Sequence, residues 1–273
     1  MKSLSLQTSS IAASMTVSID TLAKKLKAEG KDIVSLGAGE PDFKTPEIIR
    51  NAAKEAIEQG KTKYVAPTGL EEVRKAVANK LQKENGLSYS ANQIVLTSGA
   101  KQAVFNSLAA LINPDDEIII PAPYWVTYPE LVKWFKGVPV FIETTPESAF
   151  KITPEQLKNA ITEKTKAVIL NNPCNPSGAV YSPKELKALS EVIVDNDLFC
   201  ISDEIYEHFC YETEFASIAS FTGMYERTIL INGFSKSHCM TGWRIGYNAL
   251  PETIAPLITK IQSQARSEER RVG

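Results

Sequence analysis

Residues 166–201 read KAVILNNPCNPSGAVYSPKELKALSEVIVDNDLFCI. A short apolar run at 166–170 gives way to a loop of amides, prolines and a glycine. A helical stretch follows over 183–194, and a second apolar run closes the segment at 198–201. Two apolar, β-branched runs joined through a helix point to neighbouring strands of a parallel sheet buried on both faces. Outward in both directions the pattern repeats. Ile94-Val95-Leu96 precedes a helix beginning near Gln102, residues 117–120 precede a proline-rich turn and a helix near 129–135, and residues 228–231 form a further run. Upstream, Thr45-Pro46-Glu47 reads as an N-cap, a proline at the first helical position and an acid in the first turn. Ile48, Ile49, Ala52, Ala53, Ala56 and Ile57 then keep helical spacing up to Gly60, and Leu70, Val73, Val77 and Leu81 mark a helix stopped near Gly86. The expected fold class is α/β, with a mainly parallel sheet flanked by helices.

The 273 residues, 43% hydrophobic and 23% charged, describe a soluble globular chain with no repeat and no Gly/Ser-rich linker. Thirty basic against 32 acidic residues leave a net charge of -2, which offers nucleic acid or an anionic membrane no general attraction. The start, MKSLSLQTSS, lacks the apolar core of a secretory signal, and no apolar run is long enough for a bilayer. Four scattered cysteines read as free thiols in a reducing cytoplasm. The two histidines have no Cys partner and no carboxylate at metal-ligand spacing, so no metal site is expected.

In an open parallel sheet, ligands bind outside the carboxyl ends of the strands. Here those ends carry Ser98-Gly99-Ala100-Lys101, the amides of residues 171–176, Asp203 with Tyr206, and Ser235-Lys236 with Arg244. Gly99-Ala100-Lys101 opens a helix, whose free N–H groups and positive dipole end suit an anion, although small residues also mark ordinary turns. Arg244 offers a planar cationic fork; the plain alternative, a surface ion pair, sits poorly beside Trp243 and Ile245. Asp203 closes a buried strand, so it needs a partner or caps the segment that follows. Lys236 is a surface lysine unless burial and nearby cations lower its pKa enough for Schiff-base chemistry. Ser235 and Ser237 flank it without a G-x-S-x-G elbow, so hydrolase chemistry is unsupported.

Taken in order, LGAGEPDF at 36–43, Lys63-Tyr64, NNPCNPSG at 171–178, SDEIY at 202–206, Ser235-Lys236 and TGWRIG at 241–246 resemble the class I pyridoxal-phosphate aminotransferases of fold type I. The resemblance is strongest to bacterial aspartate aminotransferases and runs from the N-terminal arm to about Gln264. It implies that Lys236 forms the Schiff base with pyridoxal 5'-phosphate and shuttles the proton, while Asp203 pairs with the pyridine nitrogen. Tyr206 and Asn175 would bond the cofactor's phenolic oxygen, and Trp125 would stack on its ring. Gly99, Ala100, Lys101, Ser235 and Arg244 would complete the cofactor site, with Tyr64 reaching the phosphate of the other subunit of a homodimer. Gly39, Trp125, Asn175 and Lys101 would bind substrate, Lys101 through a distal carboxylate. The substrates implied are an amino acid and a 2-oxo acid, with aspartate and 2-oxoglutarate leading and prephenate or aromatic oxo acids as further candidates.

The resemblance divides the chain into an N-terminal arm with part of a small domain (1–44) and a cofactor-binding large domain (45–265). It also implies a C-terminal small domain, with its substrate arginine, that this chain lacks. The string RSEERRVG at 266–273 departs from the family and reads as a non-native tail, the translation of sequencing-adapter read-through. Two other functions fit parts of the pattern. A lyase or cyclopropane-forming synthase would use the same electron sink. A non-enzymatic sensor, as in certain transcription regulators, would need a DNA-binding module that residues 1–16 are too short to supply.

Overall fold

The computed structural model describes residues 5–9, 11–37 and 39–265; the tail expected at 266–273 lies outside them. Seven strands form one sheet: β1 (Ile94–Ser98), β2 (Glu117–Pro121), β3 (Val138–Ile142), β4 (Thr165–Asn171), β5 (Phe199–Asp203), β6 (Thr228–Gly233) and β7 (Ile245–Ala249). Their order is β1-β7-β6-β5-β4-β2-β3. From β3 to β6 every pairing is parallel, and β7 runs antiparallel to both β6 and β1. Five of these strands are the apolar runs of the sequence. β3 and β7 are additions: β3 is an edge strand that tolerates Pro139, and β7 carries Gly246 and Asn248 in place of an unbroken apolar run.

The reversed direction of β7 decides where its residues go. Ile245 pairs with Ser98 and Gly246 with Gly233, so the start of β7 lies at the same edge as the ends of β1 and β6. Arg244 therefore joins the strand ends rather than the opposite side of the sheet.

Helices flank the sheet: α1 (Leu6–Ser9), α2 (Met15–Ala28), α3 (Glu47–Glu58), α4 (Glu71–Asn85), α5 (Ala100–Leu111), α6 (Thr127–Trp134), α7 (Pro154–Ala160), α8 (Pro183–Asp195) and α9 (Ala255–Ala265). Strand side chains alternate between faces. Ile118 and Ile120 pack with Val104, Leu108, Val132 and Ile258 beneath α5, α6 and α9. Ile119, between them, packs with Val168, Leu170, Leu157, Leu186 and Leu189 beneath α7 and α8. Val77 and Leu81 of α4 cover Ile94, Leu230 and Ala249. Each such residue contributes roughly 1.5–3 kcal/mol on full burial, so the two-faced apolar runs hold both helix layers at once.

Local signals set the helix ends. In α8, Ser182 and Glu185 form a reciprocal capping box, with the Glu185 carboxylate accepting from Ser182 N at 2.7 Å and Pro183 in the first turn. Gly86 ends α4 with φ 67°, as the sequence leads one to expect. At α3 the expectation needs correcting. Pro46, not Thr45, occupies the N-cap position, and the helix begins at Glu47. The Thr45 hydroxyl instead donates to Cys239 O and accepts from Trp243 Nε1 at 3.0 Å, so it fastens the N-terminal segment to the loop that carries Lys236.

Candidate active site

Asp203 is the last residue of β5 and is buried. Its Oδ2 accepts from the Tyr128 hydroxyl at 2.8 Å and its Oδ1 from Ile205 N at 3.3 Å. Burial pushes its pKa up to about 6, against the downward pull of those two hydrogen bonds. The strand end is further braced by Asn171, whose Nδ2 donates to Asp203 O at 2.9 Å and whose Oδ1 accepts from Asn175 N at 2.7 Å. Tyr206, in the turn after β5, is half-buried, and the Asn175 side chain favours its ionised form. Burial, then the Asp203 charge, raises its phenol above the usual range.

Lys236 follows β6 on a loop held by Cys239 N to Lys236 O at 3.1 Å and Met240 N to the carbonyl of buried Ser235 at 3.1 Å. Its Nζ donates to Gly39 O and lies 5.9 Å from the centroid of the Tyr206 ring. Burial lowers its affinity for a proton; the Arg244 guanidinium lowers it further, while the Glu40 carboxylate opposes both. Thr241, on the same loop, donates to Glu40, so residues 39–45 and 236–243 are laced together.

The helix entrance at α5 is built by close contact. Gly99 has φ 76° and ψ 165°, a backbone region essentially reserved for glycine. A Cβ there would lie 2.3 Å from Arg244 Nη2, so the guanidinium sits flush against the turn. Arg244 is aimed by Nη1 to Thr241 O at 2.8 Å and Nη2 to Ser98 O at 3.3 Å. A Cβ on Gly246 would lie 2.5 Å from Ala100 N, so β7 passes directly beneath the same entrance. Lys101 Nζ lies 4.9 Å from the Trp125 ring centroid, and its proton affinity is lowered by burial and by Arg244. Trp125 meets Tyr128 edge to face at 5.3 Å, which links the cationic end back to Asp203. Two lysines whose proton affinity is lowered mainly by burial, with one arginine adding to it in both, stand at this helix N-terminus, an arrangement that suits an anion.

The fold thus gathers Gly39, Gly99, Ala100, Lys101, Trp125, Asn175, Asp203, Tyr206, Ser235, Lys236 and Arg244 at one edge of the sheet. Tyr64 stands apart: it is 65% exposed, and among the described residues it makes no hydrogen bond to this cluster. Tyr128 escaped sequence reading because its helix was expected to begin at Pro129; the proline-rich turn before it was the only available signal. His208 belongs to a cluster that the sequence did not reveal. The fold brings Glu84, Glu207 and His208 within 4.8 Å of one another, although their positions in sequence show no ligand spacing. The Lys80 ammonium already bonds Glu207 and lies 3.5 Å from Glu84, so these carboxylates hold an internal cation.

Residues 31–270 match the aminotransferase class I and II family. The chain belongs to that family, and its class of reaction is transamination. Within it, the chain is 46% identical over 266 residues to the aspartate aminotransferase of Bacillus subtilis, covering 97% of this chain and 68% of that protein. It is 44% identical over 265 residues to the aspartate/prephenate aminotransferase of Thermus thermophilus, again covering 97% of this chain and 68% of that one. The solved structure of the Thermus thermophilus aspartate aminotransferase with maleate superposes with a TM-score of 0.95 at 44% identity, covering 98% of this chain and 70% of the other. The chain thus spans about two thirds of the length of these relatives.

Proposed function

We propose that this chain transfers an amino group between an amino acid and a 2-oxo acid, with aspartate and 2-oxoglutarate as the leading pair, using pyridoxal 5'-phosphate held by Lys236. The observation that carries this reading is the buried Asp203–Tyr128 pair, set on the same sheet edge as a lysine of lowered proton affinity and a glycine-lined cationic helix entrance. The donor set fits the cofactor's three polar ends. Arg244 with the N–H groups at Gly99 and Ala100, helped by Lys101 and Ser235, suits a phosphate. Asp203 suits a protonated ring nitrogen. Asn175 and Tyr206 suit a phenolate oxygen, and Trp125 gives a flat face for the ring.

When bound, the cofactor supplies an aldehyde that condenses with primary amines and a cationic ring that draws electrons from the substrate's α-carbon. Around it, each side chain has a separate task. Asp203, ionised above about pH 6, would hold a proton on the ring nitrogen. With the cofactor bound, Lys236 Nζ would take the proton from the substrate α-carbon and deliver it to the carbon on the other side of the amine nitrogen, which requires the neutral amine that burial and Arg244 favour. Gly39 lets the substrate α-carboxylate approach the backbone, with Trp125 and Asn175 lining that side. Lys101 meets a distal carboxylate, which selects dicarboxylic substrates. The names of the relatives support aspartate, and several also name prephenate.

Residues 1–44 act as an arm with part of a small domain over a large domain at 45–265. Two copies pair so that exposed Tyr64 reaches the partner's phosphate site, consistent with its standing apart in its own chain. Four free thiols suit a reducing cytoplasm. Product analysis with cofactor, aspartate and 2-oxoglutarate tests the reaction: glutamate and oxaloacetate support it, whereas fumarate with ammonia, or alanine with carbon dioxide, would replace it by a lyase.

A further inference from the structure

One buried ionic network plays no part in the chemistry above. Glu207 directly follows Tyr206, and its side chain is only 5% exposed. Its carboxylate collects donors from two other elements. Lys80 and Asn85, from α4, bond it through their ammonium and through Nδ2 at 2.9 Å to Oε2. From β6, Asn232 Nδ2 donates to Oε1 at 2.7 Å, and Asn232 is itself buried. Asn232 also accepts from Gly233 N at 2.7 Å, at the point where β6 turns into the loop bearing Lys236. His208 Nε2 lies 3.4 Å from the same oxygen.

A buried ion pair is weak evidence for stability, because desolvating both charges offsets most of their attraction. What such a network does supply is geometry, since a carboxylate with fixed donors admits few arrangements. This one ties together the chain segments that deliver Tyr206 and Lys236, with α4 as a third anchor.

We infer that Glu207 is a positioning residue: through Asn232 it fixes the loop that holds the Lys236 amine, and through the chain it fixes Tyr206. The inference rests on Lys236 and Tyr206 belonging to the active site. An amine released from this arrangement swings toward water and regains an ordinary lysine's affinity for protons.

The test compares Lys80→Met/Glu207→Gln, Lys80→Met/Glu207→Leu and Asn232→Ala. Each double variant removes one positive and one negative charge, so the field at Lys236 is unchanged to first order and no buried charge is left unpaired. The glutamine keeps an acceptor for Asn232; the leucine does not. The readout is the pH dependence of Lys236 acylation by acetic anhydride, followed by peptide mass spectrometry, with circular dichroism as the control for folding. The leucine pair and Asn232→Ala are expected to raise the acylation midpoint by about one pH unit, a tenfold fall in reactivity at a given pH, while the glutamine pair stays with the parent. A parent-like midpoint in the leucine pair or in Asn232→Ala overturns the inference, as does a glutamine pair shifted as far as the leucine pair. If the leucine pair fails to fold, Asn232→Ala decides, since it keeps the Lys80–Glu207 pair. The readout is the amine's own proton affinity, without cofactor or turnover. Failure of the cofactor reading is seen separately, as a folded chain that binds no pyridoxal 5'-phosphate.

Discussion

Removing a single hydroxyl, by Tyr128→Phe, isolates the force that keeps Asp203 charged. The Tyr128 hydroxyl donates to Asp203 Oδ2 at 2.8 Å, with both side chains buried, so the bond has no competing water. A hydrogen bond contributes about 1.5–3 kcal/mol to a charged acceptor and about 1 kcal/mol to a neutral one, and each 1.36 kcal/mol of that difference is one pKa unit, so its loss raises the Asp203 pKa by about 0.4–1.5 units. The parent carboxyl, at about 6, already lies above the value an unfolded aspartate has. As pH rises past about 4, the unfolded chain releases this proton first and the folded protein loses stability until its own carboxyl ionises. In Tyr128→Phe that loss continues to a higher pH. The variant's deficit against the parent is therefore about 1 kcal/mol near pH 5, where a neutral carboxyl loses an ordinary bond, and about 1.5–3 kcal/mol near pH 8, where a charged one is left short of a donor. Urea unfolding of both proteins, followed by circular dichroism at several pH values, measures it. A deficit independent of pH, or larger on the acid side, would refute the reasoning.

Glu204, beside Asp203 in sequence, is pushed up to about 8 by burial despite hydrogen bonds from Ser217 and Ser202. Glu204→Gln mimics its neutral form, so between about pH 4.5 and 8 the parent loses stability that the variant keeps; a melting temperature of the variant minus that of the parent that falls with rising pH contradicts this. Gly99→Ala puts a methyl 2.3 Å from Arg244 Nη2 in a backbone region alanine avoids, which displaces the guanidinium. The expected result is at least about a tenfold loss of pyridoxal 5'-phosphate affinity by equilibrium titration with the fold preserved, and unchanged affinity would remove Arg244 from the phosphate site.

The sheet was legible wherever a strand is buried on both faces, because such strands cannot avoid apolar, β-branched runs. Ile118-Ile119-Ile120 and Val168-Ile169-Leu170 announce themselves for that reason. β7 stayed hidden because its composition answers to a neighbour: Gly246 is needed where the strand passes under Ala100, a contact between residues far apart in the chain. The strand-end rule pointed to the candidate site because a parallel sheet presents its carboxyl ends together, and motif order supplied most of the residues that the fold gathers there. Tyr128 could not be found in this way, since its role exists only across 75 residues to Asp203. Thr45 had a sound local reading as a helix cap, and tertiary bonds to Cys239 and Trp243 outweighed it. Sequence spacing reports local structure well; it is silent about which distant group a side chain will meet.

The central claim is that Lys236 is the amine that holds pyridoxal 5'-phosphate. The most direct measurement is an absorbance titration of the 273-residue chain with the cofactor, beside Lys236→Ala, followed by borohydride reduction and peptide mass mapping. A bound-cofactor band in the parent, its absence from a folded Lys236→Ala chain, and a reduced adduct on the peptide containing Lys236 are the predicted results. A folded parent with no band, or an adduct on a different lysine, would contradict the account.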